Sequence, residues 1–226
     1  MKTNKLNDLD AKDWLKFTKS WEIVNPAPRA ANKMVHPASF PEELASRYIE
    51  FFTKRGGWVL EPFLGTGSTL ISSMKLGRNA VGIEINPEFA DIARNRLDGA
   101  EKLLDAFERV NLAGSPPTVQ KVLCGDSRFT TELLREAVPG QQFDYCFTSP
   151  PYWDMLHQEG CERQQKRRDK GLSLVYSDNE EDLGNVHDYG KFLEQLLSLF
   201  NGLSSIMKPK SYMTVVLQNV RKGGKV

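Results

Sequence analysis

The sequence predicts an α/β fold, a doubly wound and mostly parallel sheet with helices on both faces. Three observations predict it. Short apolar runs at 58–61, 79–84, 119–123, 143–147 and 212–217 alternate with longer stretches of helical periodicity. Such alternation implies strand–helix–strand crossovers, which build parallel sheets. The first run ends on Glu61 and passes through Pro62-Phe63-Leu64-Gly65-Thr66-Gly67 straight into a helix, the layout of a nucleotide-binding turn. The fourth run ends in Thr148-Ser149-Pro150-Pro151-Tyr152-Trp153, a stiff tip on the carboxyl end of a strand, where open α/β sheets hold their ligands.

Length and composition agree with one such domain. The chain has 226 residues, 40% hydrophobic and 26% charged, enough for a proper core. A formal net charge of +1 announces no nucleic-acid binder, so any basic surface must be local. Cys124, Cys146 and Cys161 lack metal-ligand spacing, and no His/Cys cluster suggests a metal. No signal peptide and no bilayer-length apolar run stand out, so a cytoplasmic protein is expected.

Taken in order, residues 1–35 read as a helical extension whose Trp14, Phe17 and Trp21 pack on the domain. Asn25-Pro26-Ala27-Pro28-Arg29 breaks the pattern, and the main domain is expected over 36–226. Pro41 suits the first turn of a helix over 42–54, which Gly56-Gly57 ends. Trp58 to Glu61 is the first strand. Gly65 and Gly67 permit backbone angles that other residues resist, and they let the chain approach a ligand. A helix over 70–76 follows, then the second strand, Asn79 to Glu84, ending in a carboxylate. An acid there accepts hydrogen bonds from two ribose hydroxyls. Leu70 stands where a dinucleotide fingerprint wants its third glycine, so S-adenosylmethionine fits better than NAD. Pro87 opens a helix to about Arg109. The strand at 119–123 leads to Asp126, an N-cap for the helix over 131–137 or a ligand contact. Residues 154–187 form a long polar stretch with Arg163, Lys166, Arg167, Arg168 and Lys170, either a solvated charge run or a phosphate-gripping lid. A helix over 188–207 and a strand over 212–217 complete the pass.

The proline tip carries the chemistry. Two prolines fix φ and remove two backbone donors, leaving carbonyl acceptors beside the Ser149 hydroxyl and an aromatic ring. Acceptors next to a flat ring suit a planar group bearing NH2. Thr148 to Trp153 resembles the catalytic motif of the DNA amino-methyltransferases, which methylate N4 of cytosine or N6 of adenine. Pro62 to Gly67 resembles their cofactor motif. The resemblance covers about 36–220 and implies a Rossmann-like class I methyltransferase fold with S-adenosylmethionine as cofactor and DNA as partner. It implies catalytic roles for Ser149, Pro150, Pro151 and Tyr152, with the tyrosine ring, not its hydroxyl, stacking on the base. It implies cofactor contacts from His36, Phe40, Glu61, Phe63, Gly65, Thr66, Gly67, Ser68, Thr69, Glu84, Ile85, Asp126 and Thr148. DNA contacts are expected from Trp153, Arg163, Lys166, Arg167 and Arg168.

In that family the sheet has seven strands in the order 3-2-1-4-5-7-6, and five are counted here. A truncated or split enzyme is therefore expected, with the last strand an open apolar edge that takes a partner segment or self-associates. Ser149 leans toward N4 of cytosine, because Asp in its place is more typical of adenine enzymes. The cofactor motif precedes the catalytic one, the reverse of many Ser-Pro-Pro-Tyr enzymes. The base would be flipped from the duplex. Methylation at cytosine C5 is not expected, since its Pro-Cys nucleophile is absent. An RNA or protein methyltransferase, or an inactive cofactor-binding remnant, are the rival readings.

Overall fold

The computed structural model describes residues 4–19, 21, 23–24, 40–111, 117–153 and 182–217. Five strands run through them: β1 Trp58–Glu61, β2 Asn79–Glu84, β3 Gln120–Cys124, β4 Phe143–Thr148 and β5 Met207–Val215. They form one parallel sheet in the order β3-β2-β1-β4-β5, as the strand count anticipated. The helices are α1 Ala11–Phe17, α2 Glu42–Phe52, α3 Ser68–Lys75, α4 Pro87–Asn111, α5 Thr130–Ala137 and α6 Tyr189–Leu203.

Near-continuous apolar strands need cover on both faces. Val59 of β1 packs in one layer with Ala45 and Ile49 of α2, Leu70 of α3 and Ala93 of α4. Leu60, its neighbour, faces the other layer, with Leu134 of α5 and Phe192, Leu196 and Leu203 of α6. Period-two alternation thus divides one strand between two cores. Phe143, Tyr145 and Phe147 of β4 are wholly buried, and each phenylalanine contributes on the order of 1.5–3 kcal/mol through burial. The strand order reverses between β1 and β4, which opens a crevice at their carboxyl ends.

The amino-terminal segment docks on α2. Asp10 caps α1 by accepting from the Asp13 N–H at 2.8 Å. The rings of Trp14 and Phe17 lie 4.9 and 5.5 Å from that of Phe51. Asn7 is buried and donates to the Phe51 carbonyl at 2.5 Å. Trp21 lies beyond the helix and is 69% exposed, so only two of the three expected aromatics pack.

Most boundaries fall within two residues of the sequence reading, and two differ by four or five. α6 ends at Leu203, not residue 207, because successive turns at Ser204, Ser205 and Ile206 take over its last carbonyls. β5 then starts at Met207, five residues before the expected strand. Phe143 pairs with Met207 and Tyr145 with Tyr212, so Lys208-Pro209-Lys210-Ser211 bulge out opposite a single residue. Lys210 takes φ 64° there. Proline and a left-handed residue read as a break in sequence, but the sheet absorbs them as a bulge. Among the described residues β5 pairs only with β4, leaving its other edge open, with Tyr212 and Met213 exposed.

Candidate functional site

The tip of β1 is held from behind. Glu61 is fully buried, and one of its oxygens accepts from the Phe63 N–H at 3.1 Å and the Thr148 hydroxyl at 2.5 Å. Its other oxygen accepts from the Thr69 hydroxyl at 3.0 Å. A single carboxyl therefore joins β1, the start of α3 and the tip of β4. Burial pushes it up to about 8, against the pull of those three hydrogen bonds.

The turn after β1 is shaped by two glycines with left-handed φ, Gly65 at 56° and Gly67 at 88°. Gly67 makes room for α4, since a Cβ there would sit 3.1 Å from that of Ala93. Gly82 on β2 is a third spacing position: a Cβ on it would meet Leu64 at 2.6 Å. Sequence reasoning alone assigns that glycine no role. Arg96 of α4 donates to the Thr66 carbonyl and, at 3.0 Å, to its hydroxyl, while also pairing with Glu42 of α2 at 2.7 Å. Ser127 donates to the Pro62 carbonyl.

Glu84 ends β2 and faces the cleft. One oxygen accepts from the Gly65 N–H at 2.7 Å, the other from the Asn86 N–H at 2.9 Å. Each carboxylate oxygen has a second acceptor position. Burial pushes this carboxyl up to about 7, and the charge of Asp182 adds to the rise. Asp126 caps the short turn Ser127–Phe129, accepting from the Arg128 N–H at 2.8 Å, and the Arg128 guanidinium holds it at 2.5 Å. It also lines the cleft, so the capping and ligand-rim roles coexist.

The cleft encloses about 770 Å³, counting its solvent-facing space. Of the residues singled out in the sequence, Phe40, Phe63, Gly65, Thr66, Ser68, Glu84, Ile85 and Asp126 line it. Ser149, Pro150, Pro151 and Tyr152 form the facing wall, so the two motifs meet across one space although more than eighty residues separate them. Glu61, Gly67, Thr69 and Thr148 are not in the lining; they brace it. Trp153 is not in the lining either. Its ring packs 4.8 Å from Tyr189 and its indole N–H donates to the His187 carbonyl at 3.3 Å. His36, Arg163, Lys166, Arg167 and Arg168 lie outside the described residues.

Sequence reasoning missed Asp182 and Leu183, which close the cleft from the segment before α6. Asp182 is buried and accepts from the Gly184 N–H at 2.8 Å. In sequence, residues 182–187 read as the end of the long polar stretch. The only local signal was an Asp two residues before a glycine, an ordinary turn pattern.

Three carboxyl groups, Glu84, Asp126 and Asp182, line the cleft, Asp126 paired with the Arg128 guanidinium behind it, and no Lys, Arg or His is in the lining among the described residues. Such a cleft suits a cationic ligand with hydroxyl and amino donors and repels a pyrophosphate. Among the described residues no group of three or more His, Cys, Asp or Glu could hold a metal, and no helix is long and apolar enough to cross a membrane.

Comparison with known proteins gives a consistent picture. Residues 2–95 match the family model described as DNA methylase, for N6- and N4-directed enzymes. The type II methyltransferase M.MthZI of Methanothermobacter thermautotrophicus is 44% identical over 76 residues, 33% of this chain and 21% of that protein. M.MjaI of Methanocaldococcus jannaschii is 38% identical over 92 residues, 38% of this chain and 28% of that protein. M.Cfr9I of Citrobacter freundii is 45% identical over 78 residues, 34% of this chain and 25% of that protein. The matched segments thus span about a quarter of those relatives' lengths.

Proposed function

We propose that this chain, whose residues 2–95 match the DNA methylase model, transfers a methyl group from S-adenosylmethionine to an exocyclic amino group of a DNA base. The observation that carries the reading is the meeting of two walls in one cleft. One wall is acidic and bears Glu84 and Asp126; the other is the Ser149 to Tyr152 tip. N4 of cytosine is favoured over N6 of adenine, on the Ser149 form of the motif, and the base is flipped out of the duplex to reach the cleft.

The residues present fit the cofactor. The free acceptor positions of Glu84 suit the two ribose hydroxyls. Phe40, Phe63 and Leu183 supply apolar walls for a flat ring, and Asp126 suits an amino donor. The carboxyl groups favour the sulfonium charge. When bound, S-adenosylmethionine supplies a methyl group already activated for transfer.

The chain's own task is positioning. Exocyclic amines of cytosine and adenine are poor nucleophiles, because the nitrogen lone pair is delocalised into the ring. Ser149 Oγ and the Pro150 carbonyl accept the two amino hydrogens and draw that nitrogen toward tetrahedral geometry, freeing its lone pair. Pro150 and Pro151 hold these acceptors stiffly. The Tyr152 ring stacks on the base plane.

The test is methyl transfer from labelled S-adenosylmethionine to DNA, RNA and protein in parallel, with mass spectrometry of the nucleosides. Ser149→Ala and Tyr152→Ala are expected to reduce transfer at least a hundredfold while cofactor affinity stays within about twofold. Equal losses in affinity and in rate would refute the assigned roles. Label appearing in RNA or protein but not DNA would overturn the substrate.

A further inference from the structure

The proline tip contains a hydrogen-bond chain that amine capture alone does not require. Tyr152 Oη lies 3.0 Å from Ser149 Oγ, and Ser149 Oγ lies 3.3 Å from the Val216 carbonyl oxygen. The directions of these bonds follow from valence. A carbonyl only accepts, so the single Ser149 proton goes to Val216. Ser149 Oγ then has no proton left to offer Tyr152, so the phenol is the donor. Each hydroxyl has two acceptor positions, and this arrangement leaves one of them unused on Ser149. Val216 is itself fixed, since its N–H donates to the Thr148 carbonyl at 2.8 Å and extends the β4–β5 pairing by one step.

We propose that the Tyr152 hydroxyl is a positioning and specificity-determining group: it locks Ser149 as a pure acceptor aimed into the cleft. The proposal rests on the amine-methylation reading and deepens it. A free serine hydroxyl can turn to donate, and it would then welcome a carbonyl oxygen. A serine whose proton is committed to Val216 accepts only, so it takes an amino group and rejects a keto group at the same place. The aligned chain Tyr152–Ser149–Val216 also polarises the serine oxygen. Tyr152 therefore has two separable contributions, a ring that stacks and a hydroxyl that orients.

Tyr152→Phe keeps the ring and removes only the orienting bond. Turnover should fall about tenfold, the scale of one hydrogen bond, with cofactor Kd and half-saturating DNA unchanged. A double-mutant cycle isolates the coupling. In a Ser149→Ala background, Tyr152→Phe should change turnover less than twofold. Equal losses in both backgrounds, or no loss in either, would overturn the proposal. A second cycle needs no activity. In urea unfolding, the two substitutions should be coupled by roughly fivefold in the equilibrium constant. Additive unfolding constants overturn the hydrogen bond itself. If the wild-type chain transfers no methyl group to DNA, the enzymatic reading fails, while the unfolding cycle still decides whether Tyr152 orients Ser149.

Discussion

Replacing Glu84 is the sharpest perturbation of the cleft. Its two oxygens accept from the Gly65 and Asn86 N–H groups at 2.7 and 2.9 Å, the Ile85 N–H also bonds the carboxyl, and the remaining acceptor capacity faces ligand hydroxyls. Glu84→Ala removes those acceptors. Hydrogen bonds to a charged group are worth roughly 1.5–3 kcal/mol, so affinity for S-adenosylmethionine should fall about 10- to 150-fold. The loop should also loosen, since Gly65 loses its partner. The carboxyl adds a pH signature. Burial raises it to about 7, so a proton competes with the hydroxyl donors near neutrality. Hydroxyls prefer the ionised acceptor, so affinity rises with pH through about 7 and levels off above it. Between pH 8 and pH 6 the wild-type affinity should weaken about tenfold, and that dependence should vanish in Glu84→Ala. Isothermal calorimetry at three pH values reads both effects, with near-ultraviolet dichroism to check the fold. Identical pH profiles for wild type and variant would refute the ribose role of Glu84.

Glu61 predicts a stability trend. Its folded-state value, about 8, lies above the ordinary carboxyl value, so the folded state holds the proton longer. Below about pH 4.5 both states are protonated and the group contributes no penalty. As pH climbs toward 8 the unfolded chain ionises first, so stability falls by up to about 5 kcal/mol. Glu61→Gln should flatten that fall in chemical denaturation, because Thr69 can turn to accept; an unchanged slope would sink the assignment. Gly67→Ala should lower stability by about 1–3 kcal/mol, since φ 88° is strained for alanine and Ala93 leaves no space. Gly56→Ala, with similar φ but open surroundings, should cost only about 1 kcal/mol, and equal melting temperatures for the two variants would refute the crowding. The open edge of β5 should recruit a partner segment or a second copy, given exposed Tyr212, Met213 and Leu217. Met213→Lys should abolish concentration-dependent sedimentation, whereas slow exchange, in a proven monomer, of the β5 amides that do not donate to β4 would refute an open edge.

The sequence by itself determined the fold class, the strand count and the two motifs that face the cleft. It could do so because those features are local. Apolar periodicity follows from which face a residue buries. The turn glycines and the prolines of residues 150 and 151 impose backbone geometry on their immediate neighbours. The acid at the end of β2 was equally legible, since its place follows from the strand before it.

Tertiary structure alone decided how the acids divide their work. Glu61 and Glu84 each end an apolar strand and look alike in sequence. Packing buries Glu61 behind the wall, among Thr69 and Thr148, and leaves Glu84 facing the cleft. Asp182 joins them only because the segment before α6 folds back over the carboxyl ends of the strands. The bulge that carries Pro209 and Lys210 into β5 was likewise unreadable, since its cause is pairing with β4 across more than sixty residues. The link from Tyr152 through Ser149 to Val216 has the same origin. A hydrogen bond between distant segments is set by strand register, and register is a property of the assembled sheet rather than of either segment alone.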